Sequence, residues 1–249
     1  MTASTDAHGK RATPSDMRAL LLAAGRGERL RPHTDTCPKP LLQVGGRRLI
    51  EWQIAALARA GIADIVINTA HLPDQFEPAL GDGSRYGARL RYAREGERAE
   101  DARETLGGIV HALPLLGDEP FVVASSDIVT AFDYRSLSEP AQRIARGDLD
   151  AHLVLVDNPP YHPGGDMGRS PGGTATRTAP RLTYGNIGLF APRIFADLPP
   201  SRARLFPWLY QFVDRGRVGA EHFGGAWFNV GTTAELAACE EALRLRRIF

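Results

Sequence analysis

The chain has 249 residues, with 30 Lys and Arg against 29 Asp and Glu and a formal net charge of +1. This balance excludes a dedicated nucleic-acid binder or a basic membrane-surface protein, and no apolar run is long enough to span a bilayer. The length suits one α/β domain with a full core and is short for two. Cys37 and Cys239 are the only cysteines; they form no metal spacing or disulfide framework, so a reducing cytoplasm is expected. "MTASTDAHGKRATPSD" lacks the apolar centre of a signal peptide, so residues 1–16 read as a disordered leader before a single domain over 17–249. Only Lys10 and Lys39 among the basic residues are lysine, which makes Lys39 conspicuous.

"RALLLAA" (18–24) is a continuous apolar run, as expected of a strand buried on both faces of a parallel sheet. A helix is predicted over 47–61, ending at Gly61, then a strand over 64–70 and a short helix over 72–80. Residues 88–93 alternate like a strand with one wetter face. A helix follows at 108–116, ended with the help of Pro114. "FVVASSD" (121–127), "HLVLVD" (152–157) and "YGNIGLF" (184–190) read as further strands, and 203–216 and 232–249 as late helices. Thr232 and Glu235 have capping-box spacing. The Gly- and Pro-rich segment 158–180 is expected to be a loop or loose hairpin over the ligand-binding edge. The alternation predicts a doubly wound, mostly parallel, Rossmann-like α/β sheet in a single domain.

Ligands in such sheets bind outside the carboxyl ends of the strands, which here means the loop "AAGRGERLRPHTDTCPKP". Gly25 and Gly27 begin a dinucleotide fingerprint, but Leu30 stands where its third glycine belongs. A Walker loop also fails, because no Lys follows a Gly at the required spacing. What remains is a long phosphate-gripping loop. Its glycines let backbone N–H groups approach phosphate oxygens, Arg29 can fork onto two of them, and Lys39 offers a compact ammonium between two prolines.

This stretch resembles the G-x-G-x-R-L-x-P…P-K-P signature of sugar-1-phosphate nucleotidyltransferases. The likeness continues through "GIADIVIN", "GDGSRYG", "ETLGGI", "SSD", "YGNIGLF" and "WFNVGT". "HALPLLGDEPF" and "VDNPPYHPGGD" lean toward the branch that uses UTP and N-acetylmuramate-1-phosphate in peptidoglycan recycling. The resemblance implies Mg²⁺-dependent transfer of a nucleotidyl group from UTP, or another nucleoside triphosphate, to a sugar-1-phosphate. Two alternatives stay open: a mannose- or glucose-1-phosphate nucleotidyltransferase, and a non-catalytic nucleotide-sugar sensor.

By the same resemblance, Arg29, Lys39 and Asp127 are the expected catalytic residues. Nucleotide contacts fall on Leu22, Ala23, Ala24, Gly25, Gly27, Glu104, Thr105 and Gly107, with backbone amides near the last three reading a pyrimidine edge. Sugar contacts fall on Asn186, Asp166, the loop around His162, and Trp227. Arg177, Arg202 and Arg204 are available for a sugar carboxylate. Asp127 holds the implied Mg²⁺, and Asn229 stands where the family carries a second Asp. Asn229 leaves three readings open: it shares the cation with Asp127 and the phosphates, Asp127 suffices alone, or activity is lost. The intact remainder favours the first. Relative to the family, the segment near 96–104 is long and charged, suggesting a flexible lip, and 164–180 is short.

Overall fold

Residues 16–248 are described by a computed structural model; the expected leader at 1–16 lies, except for Asp16, outside the described residues. The chain runs β1 (Arg18–Leu22), α1 (His33–Thr36), a ribbon of β2 (Gln43–Val44) and β3 (Arg47–Arg48), α2 (Leu49–Arg59) and β4 (Asp64–Thr69). It continues through α3 (Phe76–Leu80), β5 (Arg89–Arg94), α4 (Glu104–Leu116), β6 (Phe121–Ser125), β7 (Ile128–Thr130), α5 (Ser138–Ala145) and β8 (Ala151–Val156). The last part holds β9 (Gly168–Arg169), β10 (Ala175–Thr176), β11 (Thr183–Phe190), α6 (Leu205–Trp208), α7 (Tyr210–Asp214), β12 (Val218–Phe223), β13 (Trp227–Asn229) and α8 (Thr233–Arg244).

Seven strands form one sheet in the order β12-β8-β11-β6-β1-β4-β5. The pairings are parallel except for β11, which runs antiparallel to both β6 and β8. The apolar run of β1 explains its central place. Ala19 and Leu21 face one core layer, with Ile50, Ile54 and Leu57 of α2, Phe76 and Leu80 of α3 and Ile144 of α5. Leu20 faces the other, with Ile109, Ala112 and Leu116 of α4 and Val213 of α7. Side chains that alternate across a pleated strand supply both layers from one five-residue run.

Three expectations need correction. The helix placed at 108–116 begins at Glu104 and runs through Pro114. Its first turn is held by the Ala203 carbonyl, which accepts from Leu106 N (2.9 Å) and Gly107 N (3.1 Å). Pro114 lies in the last turn, where its missing N–H costs one bond, and Gly117 at φ +77° ends the helix. The single helix expected at 203–216 is two short ones on either side of Leu209, and the first is interrupted at Phe206, whose backbone is extended before Pro207. The β9–β10 part of segment 158–180 lies along the free edge of β12, tied by Ala220 N to Gly173 O (2.8 Å). The charged segment near 96–104 borders the cleft, as a lip would, in a turn where the Asp101 carboxylate accepts from Glu97 N (3.0 Å) and Arg98 N (2.9 Å).

One buried amide fastens the small ribbon of β7 and β13 to α2. Gln53 of α2 is 1% exposed; its Nε2 donates to Ile128 O (2.8 Å) and its Oε1 accepts from the Tyr134 hydroxyl. A Gln53→Leu variant leaves a buried carbonyl and a buried hydroxyl without partners. It should lose about 2–4 kcal/mol of stability in urea unfolding, the cost of two unsatisfied groups.

Candidate active site

The chain reverses its direction of travel across the sheet between β1 and β6, because β1 leads toward β4 and β5 while β6 lies on the other side. Such a crossover leaves a crevice beyond the strand ends. A cleft of about 730 Å³ occupies that place. Residues 22–29 form one wall and 99–105 a second, while Ser125–Asp127, Lys39, Asn68, Arg202 and Gly231 complete it.

The floor is a relay of buried polar groups. Asn68, 2% exposed at the end of β4, accepts from Ala23 N through Oδ1 (2.7 Å) and donates from Nδ2 to Glu95 Oε1 (2.6 Å). Glu95, 6% exposed, takes Arg103 N on its other oxygen (2.7 Å). The amide orientation is forced, since only Oδ1 can accept from Ala23. Both partners of Glu95 are therefore donors, and only an acceptor-only carboxylate satisfies them. Burial raises the Glu95 pKa above the ordinary carboxylate range, against the opposing pull of these bonds.

The phosphate-loop candidates converge. Gly27 has φ +66°, and a Cβ there would stand 2.9 Å from both Lys39 Cβ and Thr34 Cγ2. Glycine at 27 thus lets the loop close onto Lys39. Gly25 lines the same cleft, and a Cβ there would meet no protein atom within 4 Å. The Lys39 ammonium pairs with Asp127 Oδ2. Arg29 lies over Gly231, whose N–H donates to Glu235 Oε2 (2.7 Å). Arg26 bridges the mouth to Glu100.

Asp127 follows β6 closely, and Ser126 beside it donates to Leu22 O from both N (3.1 Å) and Oγ (2.6 Å). The β7–β13 ribbon sets Asn229 opposite Ile128, and Val230 N donates to Asp127 O (2.9 Å). Asp127 and Asn229 are thereby brought side by side from positions a hundred residues apart. Asp127 Oδ1 is buried with no hydrogen-bond partner. A hard cation that bridges phosphates needs only one or two protein oxygens, so an orphaned carboxylate oxygen, with an amide residue on the adjoining strand, fits Mg²⁺. No three His, Cys, Asp or Glu side chains converge as a metal site among the described residues.

The sugar-side candidates collect at the start of β11. Asn186 adopts φ +54° inside a bulge of that strand, a sparsely populated state for a residue with a side chain. Trp227 donates its indole N–H to Gly185 O (3.0 Å) and so braces this bulge. Asp166 has both oxygens engaged, one by Tyr184 N (2.8 Å) and one by His162 Nε2 (3.1 Å), which makes it a loop anchor. Glu104, at φ +60°, pairs with Arg202 (3.4 Å) and Arg204 (3.8 Å). Arg177 is directed elsewhere, paired with Asp214 and stacked on Tyr210.

Gly107 also departs from expectation. Its N–H is taken by Ala203, and a Cβ there would fall 2.2 Å from Ser201 O, so this glycine admits a backbone crossing behind the cleft. Glu104 and Thr105 do line the cleft. Sequence reasoning missed Asn68 and Glu95. Asn68 left a signal, a polar residue ending the apolar run "DIVIN"; Glu95 left none in a segment rich in charge.

The nucleotidyl transferase family model matches residues 18–164. An N-acetylmuramate alpha-1-phosphate uridylyltransferase of Neisseria meningitidis is 42% identical over 224 residues, covering 88% of this chain and 95% of the relative. One of the same name from Caulobacter vibrioides is 32% identical, covering 90% and 96%. A mannose-1-phosphate guanyltransferase of Aspergillus fumigatus is 39% identical over 59% of this chain and 42% of its own length. Among solved structures, a putative glucose-1-phosphate thymidylyltransferase from Bacillus anthracis superposes with a TM-score of 0.75 at 21% identity, covering 92% of this chain and 95% of that one.

The relay makes its own prediction. A Glu95→Gln variant points an N–H₂ at a donor on one side and should lose about 1–3 kcal/mol, with a raised KM for any nucleotide bound above it. Because the folded pKa of Glu95 is raised, the folded state binds the extra proton. Wild-type stability then falls as pH climbs from the ordinary carboxylate range through the raised value. Urea titrations across that window should show this slope in the wild type and lose it in Glu95→Gln.

Proposed function

Because the chain belongs to the nucleotidyl transferase family and is a sugar-1-phosphate nucleotidyltransferase, we propose that it uses UTP and N-acetylmuramate-1-phosphate. The enzyme would then act in cytoplasmic peptidoglycan recycling. The main support is the pairing of Lys39 and Asp127 at the crossover cleft, in a chain aligned with 95% of a relative that bears this name.

In the reaction, an oxygen of the sugar phosphate bonds to the α-phosphorus of UTP while the bond to the bridging oxygen of pyrophosphate breaks. Little covalent chemistry falls to the protein; positioning and charge neutralisation dominate. Backbone amides of residues 24–27 and the guanidinium of Arg29 hold the triphosphate. Lys39 supplies a positive charge at the same phosphates and relinquishes Asp127 as it does so. Leu22, Ala23, Glu104 and Thr105 border the uracil, with Ala23 fixed in place by Asn68. Asn186, braced through Gly185 by Trp227, faces the sugar side, and Arg202 is the cleft-lining cation available to a carboxylate on the sugar. Asp127, with Asn229, would hold Mg²⁺, which when bound neutralises charge on the phosphate oxygens.

Pyrophosphate release tests the reading. UTP with N-acetylmuramate-1-phosphate should outpace GTP with mannose-1-phosphate and UTP with glucose-1-phosphate; a faster rate with either rival pair overturns the substrate assignment. A rise in melting temperature with UTP and Mg²⁺, but no pyrophosphate from any pair, would instead mark a sensor. Asp127→Ala should cost on the order of a thousandfold in turnover, the several kcal/mol that a phosphate-bridging cation supplies. Full activity in that variant would refute its role.

A further inference from the structure

Glycine does not fix its own conformation, so the place of Gly25 and Gly27 over the cleft has to be set by their neighbours. Gly27 is held on two sides by one residue. The Thr34 hydroxyl donates to Gly27 O (2.9 Å), and Thr34 Cγ2 stands 2.9 Å from where a Cβ on Gly27 would be. Thr34 is 2% exposed and belongs to α1. A helix of a single turn cannot bond its last carbonyls internally, and the segment between β4 and α3 does so instead. His71 Nε2 lies 2.8 Å from Thr34 O, and Gln75 Nε2 donates to Thr36 O (2.9 Å). A carbonyl can only accept, so His71 Nε2 carries the hydrogen.

A chain of contacts therefore runs from His71 through Thr34 to Gly27, the residue that closes onto Lys39. Asn68, at the end of β4, holds Ala23 N (2.7 Å). The exit of β4 thus grips residues 23–27 at both ends, through Asn68 at one and through His71 and Thr34 at the other. Neither Thr34 nor His71 is among the residues that line the cleft, so their effect on a bound nucleotide passes through the loop. We propose that Thr34 and His71 are positioning residues for the triphosphate, holding Gly27 at the spacing from Lys39 that the phosphates require. The inference rests on the functional reading above, in which residues 24–27, Arg29 and Lys39 grip the triphosphate.

The test is calorimetric titration of a non-hydrolysable UTP analogue with Mg²⁺, beside the kinetics of pyrophosphate release. Thr34→Val keeps a methyl and loses the hydroxyl; Gly27 O retains Leu30 N as a partner (2.9 Å), so the fold survives. This variant should bind the analogue about tenfold more weakly, the fold-change equivalent of one hydrogen bond. Its KM for UTP should rise by as much, while the KM for the sugar phosphate stays unchanged. Thr34→Ser, which keeps the hydroxyl, should restore both. His71→Leu should weaken nucleotide binding in the same way, and His71→Gln, with an N–H at similar reach, should recover it. Because His71 acts through Thr34, the Thr34→Val/His71→Leu double variant should bind little worse than Thr34→Val alone. Wild-type affinity in Thr34→Val overturns the proposal, as do an equal rise in both KM values and losses that simply multiply in the double variant. If the wild type binds the analogue but releases no pyrophosphate with any substrate pair, the catalytic reading falls and the affinities still decide the role of Thr34 and His71. If the wild type does not bind the analogue, both fall.

Discussion

Four groups in series set the shape of the cleft: the Ala23 amide, the Asn68 side chain, the Glu95 carboxylate and the Arg103 amide. They join the loop after β1 to the turn before α4, two segments eighty residues apart in sequence, across the ends of β4 and β5. Each member dictates the next, because a buried amide can offer only one acceptor and a buried carboxylate offers no donor. The distance between the two walls of the cleft is thus fixed by hydrogen-bond chemistry at its floor. Glycine at 108 follows from the same relay, since a Cβ there would lie 2.7 Å from both Asn68 Nδ2 and Glu95 Oε1.

Charge is organised with equal economy around Asp127. One of its oxygens pairs with Lys39, the other is buried without a partner, and its carbonyl is tied to Val230. The two sides of this carboxylate have different neighbours before any ligand arrives. Arg29 is close at hand over Gly231, steadied by the start of α8, where the Thr232 hydroxyl accepts from Glu235 N (3.2 Å). Glu235 does not reach back to the capping residue, as the capping-box spacing suggests, but to Gly231 one residue earlier. The Glu235 carboxylate thus holds Gly231, over which Arg29 lies, while the Thr232 hydroxyl caps the helix.

The sheet was legible in the sequence wherever burial was two-sided. The runs at β1, β6 and β8 stand out because both of their faces are apolar. Helix limits were less legible where a distant group decides them: the Ala203 carbonyl, ninety-nine residues downstream of Glu104, holds the first turn of α4, and no local pattern announces it. The two halves of the cation pair, Asp127 and Asn229, could be named only through family likeness, because the ribbon of β7 and β13 that joins them has three residues on each strand.

The reversed strand β11 has a consequence for how such a protein diverges. Parallel strands deliver only their carboxyl ends to the cleft edge, so the first half of the chain supplies the proposed nucleotide wall through loops that leave β1, β4, β5 and β6. By running the other way, β11 delivers its beginning to that same edge, and the second half of the chain supplies Asn186 there. On the proposed reading, donor and acceptor recognition are thereby written in largely separate stretches of one polypeptide. Either stretch can accumulate substitutions while the other keeps its substrate, which allows a single scaffold to trade one sugar for another without redesigning its grip on the nucleotide.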